Sequence, residues 1–151
     1  MFVYRIALPE FIDDLTGTGA KLYGGRWNEQ GVAVVYFASS RAMAIMELLV
    51  HLSGDDLERD YCLAVFEMPD DKTGLLKVEE LPENWKEQEC EGYLKAVGSR
   101  FIVDGQNLLL KVPSVLVEEE SNILMNPNHG DSKNVKLVSK RIFNFDRRLK
   151  N

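Results

Sequence analysis

Two charged side chains bracket a largely apolar part of the sequence, residues 24–52, which read GGRWNEQGVAVVYFASSRAMAIMELLVHL. Arg26 lies near the start of this stretch and Glu47 lies near its end. A charge that is buried without a partner costs several kcal/mol, so each of these side chains needs a counter-charge, solvent or a ligand. These two residues are therefore the first candidates for a functional site.

Glu47 falls in a predicted helix, where its neighbours one turn away are Met43, Ala44, Val50 and His51. Its carboxylate therefore lies on a largely apolar surface. Two interpretations fit this spacing. Glu47 forms an i,i+4 pair with His51 at the edge of the helix, or it is a catalytic carboxylate.

Arg26 lies between two glycines and Trp27, in a glycine-rich loop that precedes a buried strand. Its aliphatic stem could pack on the Trp27 indole, which would make it a structural residue. The planar guanidinium is also suited to bind a phosphate through two parallel hydrogen bonds. Both interpretations stay open at this point.

Other motifs give no support for several common activities. Gly17 and Gly19 lack the third glycine of a dinucleotide-binding fingerprint and do not follow an apolar strand closely. His51 and His129 lie far apart, and the chain has no CxxC or HExxH motif, so we predict no metal site. Ser114 lies outside a G-x-S-x-G context, and by itself it is interpreted as a turn residue.

The composition predicts one globular domain spanning residues 1–151. Hydrophobic residues make up 45% and charged residues 28%, which is the balance of a folded protein rather than a disordered one. The formal charge of −6 creates no global field that would attract nucleic acid. Residues 136–150 are locally basic, and we interpret them as the solvated faces of strands.

The sequence also indicates a compartment. No apolar run approaches the ~20 residues that a membrane helix needs, and no signal peptide precedes the first strand. Cys62 and Cys90 fall in different predicted elements, which fits a reducing compartment better than a disulfide framework. We therefore expect a cytoplasmic protein without a membrane partner.

Hydrophobic periodicity predicts a mixed α+β domain, with a central sheet and flanking helices but no regular βαβ alternation. Strands are predicted at residues 2–6, 32–38, 61–68, 107–112 and 135–145, with 113–117 continuing the fourth. Helices are predicted at residues 41–52, capped by Ser39 or Ser40, and at 87–101. Residues 13–25 and 69–82 are predicted loops, and 126–130 a turn. The strand at 32–38 is apolar throughout, so we place it centrally, covered on both faces.

Several sequence blocks together resemble the RES-domain family. In chain order they are YRI, GGRWNEQG, VVYFASS, MELLVHL, VPSVLVEEESNILMNP and FNFDRRL, and they span nearly the whole chain. The resemblance implies a fold like that of ADP-ribosyltransferases and an enzyme that consumes NAD. It also implies a toxin that is paired with an Xre-like helix-turn-helix antitoxin.

The resemblance further implies roles for individual residues. Arg26, Glu47 and Ser114 correspond to the arginine, glutamate and serine after which the family is named. It adds Arg5, Tyr36 and Asn122 as residues of the NAD-binding pocket, and it implies that NAD is a substrate rather than a cofactor.

These roles are coherent with the chemistry of NAD. We expect the two arginines to bind the pyrophosphate, and the Tyr36 ring to face nicotinamide or ribose. Glu47 would oppose the positive charge that develops on the sugar when the nicotinamide leaves. Ser114 and Asn122 would hold the ligand or orient Glu47.

The acceptor of the ADP-ribosyl group stays open at this stage. Water would make the enzyme a glycohydrolase, inorganic phosphate a phosphorylase and a protein side chain an ADP-ribosyltransferase. A different class of hypothesis is a catalytically silent domain that only binds an antitoxin or a nucleotide. The presence of Arg26, Glu47 and Ser114 favours an enzyme. A homo-oligomer is compatible with the sequence.

Overall fold

The structure is a computed structural model and describes residues 1–149. A seven-stranded mixed sheet runs through the molecule in the order β4-β5-β6-β2-β1-β3-β7, and β4 pairs with β5 in parallel while the other neighbours are antiparallel. The strands are β1 (Phe2–Ala7), β2 (Val35–Ala38), β3 (Tyr61–Glu67), β4 (Thr73–Leu75), β5 (Leu109–Pro113), β6 (Ser121–Met125) and β7 (Lys136–Phe143).

In residues 1–149, three α-helices accompany the sheet: α1 (Thr18–Tyr23), α2 (Arg41–Leu49) and α3 (Glu91–Asp104). Short 3-10 helices lie at Gly54–Glu58, Val78–Glu80, Gln88–Cys90, Gly130–Asn134 and Arg147–Leu149. Within residues 1–149, no helix combines the length and the apolar character that crossing a bilayer requires.

The central strands bury side chains on both faces of the sheet. In β6, Ile123 and Met125 join one hydrophobic cluster, whereas Leu124 joins a second cluster around Trp27 and Leu94. Alternation with a period of two sends consecutive side chains to opposite faces, so both faces of this strand need a cover. The predicted α+β class with a central sheet is confirmed, and β2 occupies the central position that its apolar sequence predicts.

Several predicted elements need correction. The predicted loop over residues 13–25 contains α1, a six-residue helix flanked by glycines at 17 and 24, both with positive φ. The predicted loop over 69–82 contains β4, and β6 was not predicted at all. Residues 114–117 do not continue the fourth strand, because the chain turns back after β5 and the Ser114 N–H donates to the carbonyl of Glu120.

The other predicted elements are present with shifted bounds. Helix α2 ends at Leu49 instead of residue 52, and Ser40 caps it by accepting a hydrogen bond from the Met43 N–H. The predicted turn at 126–130 is confirmed. The basic residues of β7 lie exposed at one edge of the sheet, as expected for solvated strand faces, and the last basic residue of that stretch, Lys150, lies outside the described residues.

Helix α3 approaches the segment before β2 very closely. Gly98 of α3 lies against the backbone of Trp27, so that a Cβ at position 98 would fall 1.6 Å from the Trp27 carbonyl oxygen. Only a glycine permits this approach. The contact fixes the position of the segment that carries Arg26 relative to the helix.

Candidate functional site

A cavity of about 1140 Å³ opens between the central strands, helix α2 and the segment that joins β1 to β2. Five of the six predicted site residues line it: Arg5, Arg26, Tyr36, Glu47 and Asn122. The sixth, Ser114, does not line the cavity, but its hydroxyl donates a hydrogen bond to the Glu47 carboxylate. The structure therefore brings together residues that are widely separated in the sequence.

Two hydrogen bonds hold the carboxylate of Glu47. Its Oε1 atom accepts from Ser114 Oγ at 2.7 Å and from Asn122 Nδ2 at 2.8 Å. Within residues 1–149, Oε2 makes no hydrogen bond, and no ion pair joins Glu47 to His51. The predicted alternative of an i,i+4 pair with His51 is therefore wrong, because the carboxylate turns toward β5 and β6 instead.

Ser114 is fully buried, and the loop around it determines the direction of its hydroxyl proton. Its Oγ accepts hydrogen bonds from the N–H groups of Leu116 at 3.0 Å and Val117 at 3.3 Å. A hydroxyl has one proton, and here that proton is directed to Glu47. Ser114 is thus arranged to orient a carboxylate rather than to attack a substrate.

The second donor to Glu47, Asn122, lies in strand β6. It lies in β6 opposite Ala38, the last residue of β2, and α2 begins three residues later at Arg41. This register places the Asn122 amide under the helix that carries Glu47. The pairing of β6 with β2 and the start of α2 at Arg41 together bring the Asn122 amide within hydrogen-bond distance of the Glu47 carboxylate.

Arg26 lies at the tip of a tight turn. The Gly25 N–H donates to the Asn28 carbonyl at 3.0 Å, and the Asn28 N–H donates to the Gly25 carbonyl at 3.5 Å. Arg26 is exposed and, among the described residues, its guanidinium has no hydrogen-bond or ion-pair partner, whereas the adjacent Trp27 is buried. The guanidinium is therefore available to a ligand.

Tyr36 lines the cavity and packs against the cluster around Trp27, and two hydrogen bonds hold its hydroxyl. The hydroxyl donates to Asn28 Oδ1 at 2.6 Å and accepts from the Trp27 N–H at 3.2 Å. Burial raises the pKa of the Tyr36 phenol well above its ordinary value, and the hydrogen bond from Trp27 opposes this shift. The phenol is therefore neutral at physiological pH and acts as a hydrogen-bond donor.

Arg5 has a structural as well as a cavity-facing part. Its Nη1 atom donates to the carbonyls of Ile12 at 3.1 Å and Asp14 at 2.6 Å, which anchors the segment after β1. Burial lowers the pKa of the guanidinium, whereas the carboxylates of Asp14 and Asp13 raise it. In the described part of the chain the remaining N–H groups of Arg5 make no hydrogen bond, so they can still reach a ligand.

The sequence reasoning passed over Asn28. Its side chain has 0% exposure, although an asparagine next to a glycine-rich turn is usually solvated. The sequence around it gave no signal of this burial, because Arg26, Glu29 and Gln30 are exposed and only Trp27 beside it is buried. Arg26 and Glu47 stand out in the sequence because a buried charge needs a partner, and this argument does not apply to the neutral amide of Asn28.

The charges of the cavity define what it can bind. Its lining side chains include the cations Arg5, Arg26 and Lys95 and the carboxylates Asp14, Glu47 and Glu91. Within residues 1–149, no group of three or more His, Cys, Asp or Glu side chains is placed to hold a metal ion. The arginines suit an anionic group such as a pyrophosphate, and the held carboxylate suits a centre that becomes positively charged.

Known proteins resemble this chain over nearly its whole length. The sequence pattern of the RES domain matches residues 2–146. A "Prs ADP-ribosylating toxin" of Sphingobium sp. (strain YBL2) is 42% identical over 140 residues, covering 91% of this chain and 87% of that protein. A "Toxin Res" of Photorhabdus laumondii subsp. laumondii is 34% identical over 151 residues, covering 99% and 97%.

A solved structure extends this likeness to the fold. The crystal structure of the M. tuberculosis MbcT-MbcA toxin-antitoxin complex contains a chain that aligns with a TM-score of 0.77. The alignment covers 95% of this chain and 84% of that chain at 19% sequence identity, so it concerns the fold alone. Together with the family match over residues 2–146, the sequence relatives confirm the resemblance that the sequence blocks predicted: this chain belongs to the RES-domain family.

Proposed function

We propose that this chain is an NAD-consuming toxin that breaks the bond between nicotinamide and ribose. The observation that carries the proposal is the hydrogen bonding of the Glu47 carboxylate, which lines the cavity. Its Oε1 atom accepts two hydrogen bonds, from Ser114 and Asn122, while Oε2 makes none within residues 1–149. One oxygen thus fixes the carboxylate, and the other is available to a substrate.

The reaction needs a carboxylate in this state. When the bond between the nicotinamide nitrogen and the ribose carbon breaks, the electron pair leaves with nicotinamide and positive charge develops on the sugar. Glu47 is half-buried, so its negative charge is less screened than it would be in water. It therefore opposes the developing cation, and a fixed position lowers the cost of reorganising it during the reaction.

The arginines and Tyr36 would hold the substrate. Arg26 and the free N–H groups of Arg5 can donate paired hydrogen bonds to the pyrophosphate of NAD. The neutral Tyr36 ring can stack on nicotinamide or contact the ribose. Asn122 lines the cavity, so its contact with Glu47 would lie close to the reacting sugar of a bound NAD.

Water or inorganic phosphate is the first acceptor to test. Water would yield ADP-ribose and a proton, and phosphate would yield ADP-ribose-1″-phosphate. Transfer to a protein side chain is the second candidate, and it is favoured by the name of the Sphingobium relative, an ADP-ribosylating toxin. All three outcomes share the same bond cleavage and therefore the same role for Glu47.

A toxin of this kind needs a partner that restrains it. We propose a cognate antitoxin of the Xre-like helix-turn-helix type that covers the cavity. The MbcT-MbcA structure supports an antitoxin in general, because that relative in fold was solved as a toxin-antitoxin complex. The net charge of −6 would also favour a basic partner surface.

The first experiment measures free nicotinamide from purified protein and NAD, with and without phosphate. The test variant is Glu47→Gln, which keeps the shape and the acceptor oxygen but removes the charge. The matched control is Glu58→Gln, an exposed glutamate outside the cavity. We expect release by wild type and Glu58→Gln and none by Glu47→Gln.

The products then assign the acceptor. A phosphate-dependent rate with ADP-ribose-1″-phosphate identifies a phosphorylase, and free ADP-ribose identifies a glycohydrolase. NAD labelled in the adenylate part, followed into protein from a cell extract, identifies a transferase. Full turnover by Glu47→Gln would remove the mechanism, and no cleavage by a folded wild-type sample under any of these conditions would favour a silent binding domain.

A further inference from the structure

The side chain of Asn28 is enclosed and makes four hydrogen bonds, two of them to the cavity-lining residues Ala20 and Tyr36. Its Nδ2 amino group shares its two protons among the carbonyls of Ala20 at 2.9 Å, Val32 at 3.0 Å and Glu29 at 3.2 Å. Its Oδ1 atom accepts the Tyr36 hydroxyl at 2.6 Å. The amide therefore connects the middle of α1, the segment before β2 and the Tyr36 hydroxyl.

The same residue closes the turn that carries Arg26. Both backbone hydrogen bonds of this turn join Gly25 to Asn28, so Arg26 and Trp27 occupy its tip. A Cβ at position 25 would lie 2.8 Å from the Tyr36 hydroxyl oxygen and 2.9 Å from Asn28 Oδ1. The absence of a side chain at Gly25 is what allows the turn to lie against this pair.

We infer that Asn28 is a positioning residue for the substrate-binding half of the site, an inference that rests on the proposed function. Asn28 touches neither the cavity nor the reacting atoms. It acts through Tyr36, whose hydroxyl it holds, and through Arg26, whose turn it closes. The catalytic half, Glu47 with Ser114 and Asn122, shares no hydrogen bond with it.

The two halves have separate supports, and this separation can be measured. Loss of the Asn28 amide would release the Tyr36 hydroxyl and the carbonyls that flank the Arg26 turn, whose own backbone bonds remain, but would leave the Glu47 carboxylate held as before. We therefore expect Asn28 variants to raise KM for NAD and Ser114 variants to lower kcat. Misplacing a group that positions the substrate by about 1 Å can lower the reaction rate roughly 100-fold. For the binding groups Arg26 and Tyr36, we therefore expect KM to rise by about 10- to 100-fold.

The experiment compares Asn28→Ala with Asn126→Ala. Asn126 is also buried, and its Nδ2 atom also donates to a backbone carbonyl, that of Ile102, but it does not line the cavity. Both variants lose a buried amide, so both should be less stable. Only Asn28→Ala should raise KM, and equal KM values for the two variants would overturn the inference.

Tyr36→Phe provides a second variant in case Asn28→Ala does not fold. It removes one hydroxyl and keeps the ring, and we expect it to raise KM in the same direction. In the double variant, the two effects on KM should combine to less than their product, because both changes break the same hydrogen bond. Fully multiplicative effects, or a Tyr36→Phe protein with wild-type KM, would contradict the inference.

Binding of ADP-ribose, measured by calorimetry, separates this inference from the proposed function. If wild type releases no nicotinamide but binds ADP-ribose, the proposed cleavage fails, and weaker binding by Asn28→Ala than by Asn126→Ala still supports the positioning role. If wild type does not bind ADP-ribose, the positioning role fails as well.

Discussion

The hydroxyl oxygen of Ser114 lies 2.7 Å from Oε1 of Glu47, although the two residues are 67 positions apart in the chain. Two backbone N–H groups occupy the acceptor side of that hydroxyl, so its only proton is committed to the carboxylate. The serine of this site therefore works as a support for the glutamate. Its contribution to the rate of the proposed reaction depends on how rigidly this hydrogen bond holds Oε1 of Glu47.

We predict that Ser114→Ala and Asn122→Ala each lower kcat for NAD cleavage. Loss of one hydrogen-bond donor to a charged, partly buried acceptor costs about 1–3 kcal/mol, which corresponds to roughly 5- to 150-fold in rate. Steady-state nicotinamide release over a range of NAD concentrations measures the effect. Ser139→Ala, on the exposed strand β7, is the control, and a variant of Ser114 with unchanged kcat would show that this support is dispensable.

Arg26 is predicted to contribute to binding and not to stability. Because it is exposed and has no partner in the described part of the chain, Arg26→Ala should change the free energy of unfolding by less than about 0.5 kcal/mol. KM for NAD should rise, and Arg26→Lys should restore it only partly, since a lysine keeps the charge but not the paired donors. Arg100→Ala, an exposed arginine of α3 outside the cavity, serves as the control. A wild-type KM for the lysine variant would argue against paired donation, because a single point charge would then be sufficient.

The raised pKa of Tyr36 predicts a loss of stability at alkaline pH. The folded state favours the protonated phenol, so this stabilisation is fully present below the ordinary pKa of 10.0 and is lost as the pH rises above it. Denaturant unfolding at pH 8 and pH 11 should therefore show a smaller loss of stability for Tyr36→Phe than for wild type. The same loss in both proteins would indicate that Tyr36 titrates normally.

A pair of glycines in helix α3 predicts opposite effects of the same substitution. Gly98→Ala places a Cβ against the Trp27 carbonyl, so we expect it to destabilise the protein by about 1–3 kcal/mol or more. Gly92→Ala meets no atom within 4 Å and should stabilise the protein by roughly 0.5–1 kcal/mol. Thermal unfolding compares the two variants, and equal melting temperatures would contradict the close packing of α3 on the Arg26 turn.

Local pattern predicted the elements that carry the site better than it predicted how the site is assembled. The apolar run at β2 and the helix-forming residues of α2 placed Tyr36 on a strand and Glu47 on a helix. The same local reasoning offered His51 as the partner of Glu47, because spacing within one helix is visible in the sequence. The actual partners come from other elements, and only the family resemblance pointed to Ser114 and Asn122.

Helix α1 and strands β4 and β6 were not predicted, because each is short and depends on contacts with other parts of the fold. Helix α1 is six residues long and flanked by glycines, so its stability comes from tertiary contacts such as the bond from Asn28 to the Ala20 carbonyl. Strand β6 follows three consecutive glutamates, and β4 has only three residues paired in parallel. Such short segments acquire their structure from neighbours that sequence periodicity does not reveal.

The separation of Glu47 from its two hydrogen-bond donors has a consequence for synthesis of the chain. The donors lie 67 and 75 positions further along, so a ribosome exposes Arg26, Tyr36 and Glu47 long before it exposes Asn122. A nascent chain that stops short of β6 carries an unsupported glutamate and a strand β2 with one of its two edges unpaired. For the proposed reaction, we therefore expect truncated products that end before Ser114 to be far less active than a chain that contains both donors.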